Sequence, residues 1–301
     1  MRLDRFITLD LIQPLRQAFT APRQSNGGPF PNRLPILMYH SISDDPESGV
    51  NHYYRVCTSP QRFREQMQWL KDNGYRGVTL SAGLQFHQTS ETTDPRHVAI
   101  TFDDGFHDFY TDAHPILKEY GFTATVFLPT AFIGDKRRSF KSRECLTWSE
   151  VAELQRAGIH FGSHTVNHPI LYQLNWQDIS RETADSKSVL EDQLQVTTNS
   201  FAYPYAFPQE DQRFTARFKE LLSGHGYQNC VTTVIGRVEA GDDQFCLKRL
   251  PINSCDDRAL FAAKLDGAYD WLSPAQSCVR QVKSWMKRRD ERVTCKDASE
   301  F

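Results

Sequence analysis

Residues 99–105 read AITFDDG, a short apolar run that stops at two adjacent carboxylates and a glycine. The length and the β-branched, aromatic content of residues 97–102 predict a buried strand, and Gly105 lets the chain turn where that strand stops. Asp103 and Asp104 then sit at the strand's C-terminal end. Adjacent aspartates there repel one another and are partly dehydrated unless a cation, an arginine or a proton compensates, which points to a metal or a substrate. An Asp-Asp-Gly turn bonded only to nearby backbone amides is the alternative.

Residues 162–169, GSHTVNHP, change the balance. His164 and His168 are four apart, a spacing at which two imidazoles can share one ion. Pro169 keeps the residue before it out of the helical region, so the histidines are expected on an irregular turn entered from a strand at 160–163. An aspartate at one strand end with two histidines at another is a common zinc-type ligand set, with water free to fill what remains.

With 301 residues and no internal repeat, the chain can bury a large core as one domain. A formal net charge of -2 with both signs interspersed offers no general attraction to nucleic acid or anionic lipid. The seven cysteines are scattered without a CxxC pair, which reads as reduced thiols. No stretch has the length of a spanning helix, and no uninterrupted apolar centre with a small-residue cleavage site marks a secretory signal. Residues 1–20 read as an amphipathic helix that packs on the body or a partner subunit, with membrane-surface contact as the alternative. Residues 21–34, rich in proline and glycine, read as a linker, 35–275 as the catalytic body, and 276–301 as a basic C-terminal helix or tail. These features suggest a location in the cytoplasm or on the inner face of the membrane.

From residue 36 onward, strand-like runs alternate with helical patterns. Strands are expected at 36–40, 78–80, 97–102, 122–128, 160–163, 200–203, 230–234 and 245–252. Helices are expected at 60–72 behind a Ser59 cap, 83–87, 109–120 with a bend at Pro115, 148–157 behind a Thr147/Glu150 capping box, 176–194 and 214–222. The alternation implies a parallel sheet closed, or nearly closed, into an α/β barrel, whose strand C-terminal ends form the active site. His40, Asp103, Asp104, His164, His168 and Tyr203 to Tyr205 all fall at such ends.

With TFDDG at 101–105, SHTVNH at 163–168 and FAYPY at 201–205, the chain resembles the polysaccharide deacetylases, the NodB-homology carbohydrate esterases of family 4. LMYH at 37–40, LTWSEV at 146–151 and KRLPI at 248–252 are similar to the branch acting on poly-N-acetylglucosamine. The resemblance implies a single-domain distorted (β/α) barrel of the NodB-homology type. It also implies metal-dependent hydrolysis of an N-acetyl or related acyl group on an amino sugar, in a polysaccharide, an oligosaccharide or a carrier-linked glycan. It makes Asp103 the general base and Asp104, His164 and His168 the ligands of a divalent metal, Zn2+ first, with Co2+ or Ni2+ as alternatives. His40 is then the candidate general acid, and the backbone amide of Tyr205 the oxyanion donor. Many relatives carry an arginine at the start of the third motif, whereas this chain has Phe201, Ala202 and Tyr203, so Arg249 is the substitute expected to orient Asp103. Ala206 replaces a usual glycine, and no late leucine-plus-histidine motif follows Asn253. Tyr39, Trp148, Tyr203, Tyr205 and Phe207 are candidate sugar-stacking rings, with core packing as the alternative for Trp148. Two further readings stay open: an amidohydrolase or deformylase acting on a non-polymeric amide, and a non-catalytic carbohydrate-binding relative.

Overall fold

The computed structural model describes residues 2–19, 33–89 and 96–272. Its centre is a ring of parallel strands: β1 (Ile36–Tyr39), β3 (Arg96–Phe102), β4 (Thr125–Leu128), β5 (His160–Ser163), β6 (Ser200–Ala202), β7 (Asn229–Ile235) and β8 (Leu247–Pro251). Each pairs with the next in that order, and β8 closes on β1. The eighth strand of this sheet, β2 (Tyr75–Val78), stays outside the ring and pairs with the first half of β3, Tyr75 opposite Arg96 and Val78 opposite Ala99. This is the distorted barrel expected from the alternation, with seven strands in the ring.

The two-residue period of the strands sorts side chains between two cores. Ile36, Ala99, Phe127, Ala202, Val231 and Leu247 form one buried cluster. They come from six strands of the ring, so they meet only inside it. The neighbouring positions Leu37, Val98, Ile100 and Val126 face outward and pack with Phe63, Met67 and Leu70 of the helix Pro60–Asp72 and Leu154 of the helix Trp148–Arg156. By the same parity Thr101 and Asp103 follow Ala99 to the interior face. Gly162 is required where β5 passes Phe127, because a Cβ there would lie 2.5 Å from the ring and 2.9 Å from the Ser200 carbonyl.

Local signals explain most element ends. Ser59 Oγ accepts from Arg62 N at 3.2 Å, and the Thr147/Glu150 box is closed in both directions, by bonds of 2.9 and 3.4 Å. The bend expected at Pro115 is a wide turn over Phe109–Ala113 leading into the helix His114–Tyr120. The strand expected at 78–80 lies earlier, at Tyr75–Val78. Leu80 already opens the helix Leu80–Thr89, its amide donating 3.0 Å to Thr125 Oγ1. A helix Arg258–Leu265, capped by Asp257, was not expected. Leu34, assigned above to the linker, is buried and exchanges two 2.9 Å backbone bonds with Val238. The rest of that linker, and the C-terminal tail, fall outside the described residues, apart from Arg33.

The N-terminal segment is helical throughout, as Leu3–Phe6, Ile7–Ile12 and Gln13–Phe19. It docks on the body largely through charge. Arg2 pairs with Asp256 at 3.1 Å, Arg5 with Asp257 at 2.7 Å, and Arg16 donates to the carbonyls of Gly267 and Asp266. Leu9 packs near Ile235, Leu260 and Tyr269, while Leu3, Phe6, Leu11 and Leu15 face outward. Among the described residues no helix is long and apolar enough to cross a membrane. The five cysteines within them are free thiols.

Candidate active site

β3 delivers the two aspartates to the C-terminal rim of the ring. Asp103 continues the strand's parity and points inward, where Arg249 of β8 meets it in a fork: Nη1 to Oδ1 at 2.7 Å and Nη2 to Oδ2 at 2.8 Å. Arg249 is fully buried and further held by the Thr232 carbonyl at 3.0 Å and Thr101 Oγ1 at 3.3 Å. Burial opposes the charge on Asp103, but Arg249, with His164 and His40, holds its carboxyl below the usual range. Asp103 is therefore ionised at neutral pH.

Asp104 adopts φ 72°, which breaks the strand's alternation and brings the second carboxylate round to the same rim. Its Oδ1 lies 3.2 Å from His168 Nε2 and 3.6 Å from His164 Nε2. Its Oδ2 receives the ammonium of Lys141 at 3.1 Å. Burial works against this charge too, yet His168, His40, His164 and Lys141 hold the carboxyl far below the ordinary range. The three ligand-type atoms of Asp104, His164 and His168 lie within 4.8 Å of one another, all on buried residues.

The histidines leave β5 on an irregular loop, as Pro169 requires. Thr165 and His168 take φ 70° and 54°, and Thr165 Oγ1 accepts the His168 amide at 2.9 Å. Glu182, from the helix Trp176–Leu194, fastens the loop by accepting from the amides of Val166 and Asn167 at 2.9 and 2.8 Å and from Asn167 Nδ2 at 2.7 Å. His164 Nδ1 lies 2.8 Å from the Ala202 carbonyl, which only accepts, so this nitrogen carries the hydrogen. Burial pushes the His164 pKa down to about 4, leaving the ring neutral. Its Nε2 lone pair therefore faces a carboxylate oxygen, Asp104 Oδ1, which lies beside both imidazole Nε2 atoms. Two lone-pair-bearing atoms turned toward each other in a buried place fit a cation between them.

His40, at the end of β1, stands with Nε2 4.0 Å from Asp103 Oδ2, and burial lowers its pKa against the pull of the two aspartates. Tyr205 takes φ 59° on the loop after β6, its ring half-exposed and 4.6 Å from that of His168. All seven residues singled out from the sequence thus meet at one rim. The proposed stacking rings do not. Tyr39 is buried between Phe63 and Phe102 with its hydroxyl on Gln66, and Tyr203 and Phe207 pack in the core near Phe218. Trp148 is partly buried against the core, and Tyr205 alone of the five is exposed at the rim. Sequence reasoning missed Lys141 and Glu182, for which neither spacing nor motif gives a signal.

A family model described as polysaccharide deacetylase matches residues 90–229. YxkH of Bacillus subtilis, assigned to the polysaccharide deacetylases by name, is 33% identical over 78% of this chain and 77% of its own length. This chain belongs to the polysaccharide deacetylase family. The poly-beta-1,6-N-acetyl-D-glucosamine N-deacetylase of Staphylococcus aureus is 26% identical over 66% of this chain and 72% of that enzyme. The Escherichia coli enzyme of the same name is 31% identical, but the match spans only 23% of its length. Among solved structures, the Streptococcus pyogenes deacetylase PplD, in complex with acetate, superposes with a TM-score of 0.67 at 30% identity over 79% of this chain and 99% of that one. Removal of acetyl groups from a glycan is the reaction class of this family.

Proposed function

We propose that the chain is a divalent-metal-dependent deacetylase that removes N-acetyl groups from amino sugars in an N-acetylglucosamine-containing glycan. The observation that carries this reading is the neutral His164 Nε2 turned toward Oδ1 of Asp104, with His168 Nε2 beside it. Asp104, His164 and His168 would hold the cation, best suited to Zn2+ by its two imidazoles and one carboxylate. When bound, the cation supplies Lewis acidity toward the acyl oxygen and a water acidified to near neutrality.

Asp103, ionised and fixed by Arg249, is the base that takes the proton as water attacks the acyl carbon. Arg249 is a positioning residue: its fork leaves the carboxylate little rotational freedom. The Tyr205 amide donates toward the oxygen where negative charge develops. When the C–N bond breaks, the departing amine needs a proton, and His40, 4.0 Å from Asp103, is the donor. Burial keeps His40 neutral at rest, so it acquires this proton during turnover, with Asp103 as the nearest source. The products are acetate and a free amino sugar.

The test is elemental analysis of the purified protein, then acetate release from N-acetylglucosamine oligomers beside small cyclic and linear amides. Stoichiometric metal, loss of activity on chelation and preference for the sugars are expected. Undiminished activity after complete metal removal, or turnover confined to the non-sugar amides, rejects the reading.

A further inference from the structure

Asp104 has two oxygens in different surroundings, and one lysine makes them different. Lys141 sits at the tip of a two-stranded hairpin, Ser139–Phe140 against Arg143–Glu144, that folds over the rim. Both turn residues are left-handed, Lys141 at φ 50° and Ser142 at φ 63°, in a tight hairpin turn that ordinarily selects glycine or asparagine. Neither is present, so the turn is strained, and such strain persists where surrounding contacts over-determine it. Those contacts are plain. Phe140 packs 4.3 Å from Phe132 and 5.0 Å from the His168 ring, and Arg143 ties the hairpin to Ser41 and Ser43, each at 3.2 Å, and to Asp45.

The result is an ammonium held at Asp104 Oδ2, 4.6 Å from the Phe140 ring centre and 5.4 Å from that of Tyr205. Asp104 is only 2% exposed at its side chain, so bulk water cannot satisfy Oδ2 in place of the lysine. Oδ1 is left to the two imidazoles.

We propose that Lys141 is a positioning residue that restricts Asp104 to one-oxygen ligation. By occupying Oδ2 it leaves Oδ1 as the sole carboxylate ligand and keeps a coordination position open for water and the acyl oxygen. A carboxylate released from the lysine would close on the cation with both oxygens and fill that position. This inference rests on the metal reading above and adds to it the residue that sets the coordination number.

The test uses the full chain loaded with Co2+, whose visible absorption reports its coordination number. Lys141→Met keeps the stem that packs on the rings and removes the charge; Lys141→Arg keeps the charge. The Met variant is expected to bind Co2+ with a weaker, shifted visible band and to lose turnover by about 10- to 100-fold, as partners of metal ligands typically do. The Arg variant is expected to retain the parental band. A hairpin lysine with a merely structural role would leave the band unmoved in both. Superimposable spectra of the parent and the Met variant overturn the assignment alone, whereas a parent protein that takes up no Co2+ overturns this assignment together with the metal reading.

Discussion

Arg249 closes on Asp103 with one nitrogen per carboxylate oxygen, at 2.7 and 2.8 Å, and neither side chain is more than 3% exposed. Arg249 lies on β8 and Asp103 directly follows β3, with β1 between the two strands, so the pair also ties the ring together where it closes. Breaking a buried pair leaves one charge uncompensated, at a cost of about 3–5 kcal/mol. Arg249→Met is expected to lose that much stability in urea denaturation. Arg249→Lys keeps the charge but not the fork and should retain more stability than activity. Adding Asp103→Asn to Arg249→Met should recover part of the loss, a coupling that a double-mutant cycle measures.

The adjacent aspartates are expected to separate by readout. Asp103→Asn should keep its metal in elemental analysis while turnover falls by about 10²- to 10⁴-fold, the usual contribution of a positioned base. Asp104→Ala or His168→Ala should lose the metal itself. Near-full activity in Asp103→Asn would assign the base elsewhere.

Glu182 contacts no ligand atom, yet it accepts the amides of Val166 and Asn167, just before His168. Glu182→Ala orphans both amides. Hydrogen bonds to a charged group are worth about 1.5–3 kcal/mol, so the melting temperature should fall. Co2+ should also dissociate faster, because His168 loses its anchored approach, and a stopped-flow chelator assay measures that rate.

Gly162→Ala tests the packing beneath the histidines. Its Cβ would enter the Phe127 ring and approach the Ser200 carbonyl, neither of which can yield cheaply. A loss of about 1–3 kcal/mol is expected from overpacking, read by urea denaturation. A neutral outcome would mean that β5 and β6 can spread at the rim.

Acid should release the N-terminal helix before the barrel. Burial opposes the charges of Asp4 and Asp257. Nevertheless, hydrogen bonds from Arg2 and Tyr269 to Asp4, and from the Leu260 amide and Arg5 to Asp257, hold both below the ordinary carboxylate range. Because the folded values are depressed, the stability these groups contribute is present above the unfolded value of about 3.9 and is lost as pH falls through the folded values. Trp271, whose indole bonds Thr8 Oγ1 at 3.1 Å, is the reporter. Its fluorescence, taken as the difference from Trp271→Phe, should change in that acid range ahead of the far-ultraviolet circular dichroism.

The frame of the molecule was legible where local chemistry and burial agree. The helix Trp176–Leu194 matches its expected bounds, the Thr147/Glu150 box does what its spacing implies, and AITFDDG ends a buried strand. Residues 75–80 were misplaced by a few positions because YRGVTL carries no alternation, and its boundary is set by a distant partner, Thr125 Oγ1. The aromatic residues failed for a related reason. Tyr39, Tyr203 and Phe207 adjoin the motifs, but strand parity and the loop's path send their rings into the core. Lys141 and Glu182 reach the site from a hairpin and a helix remote in sequence. Such contacts exist only once the barrel is closed, and no local pattern announces them.

β3 shares backbone ladders with β1, β2 and β4, more lateral neighbours than any other strand of the ring. Its central amides should be among the slowest in the molecule to exchange with solvent. Asp103 and Asp104 thus follow directly on a segment expected to breathe little, and any opening that a glycan required would fall to the hairpin and the loops around it. Those peripheral pieces can be remodelled for a new substrate while the acid pair stays registered on its frame.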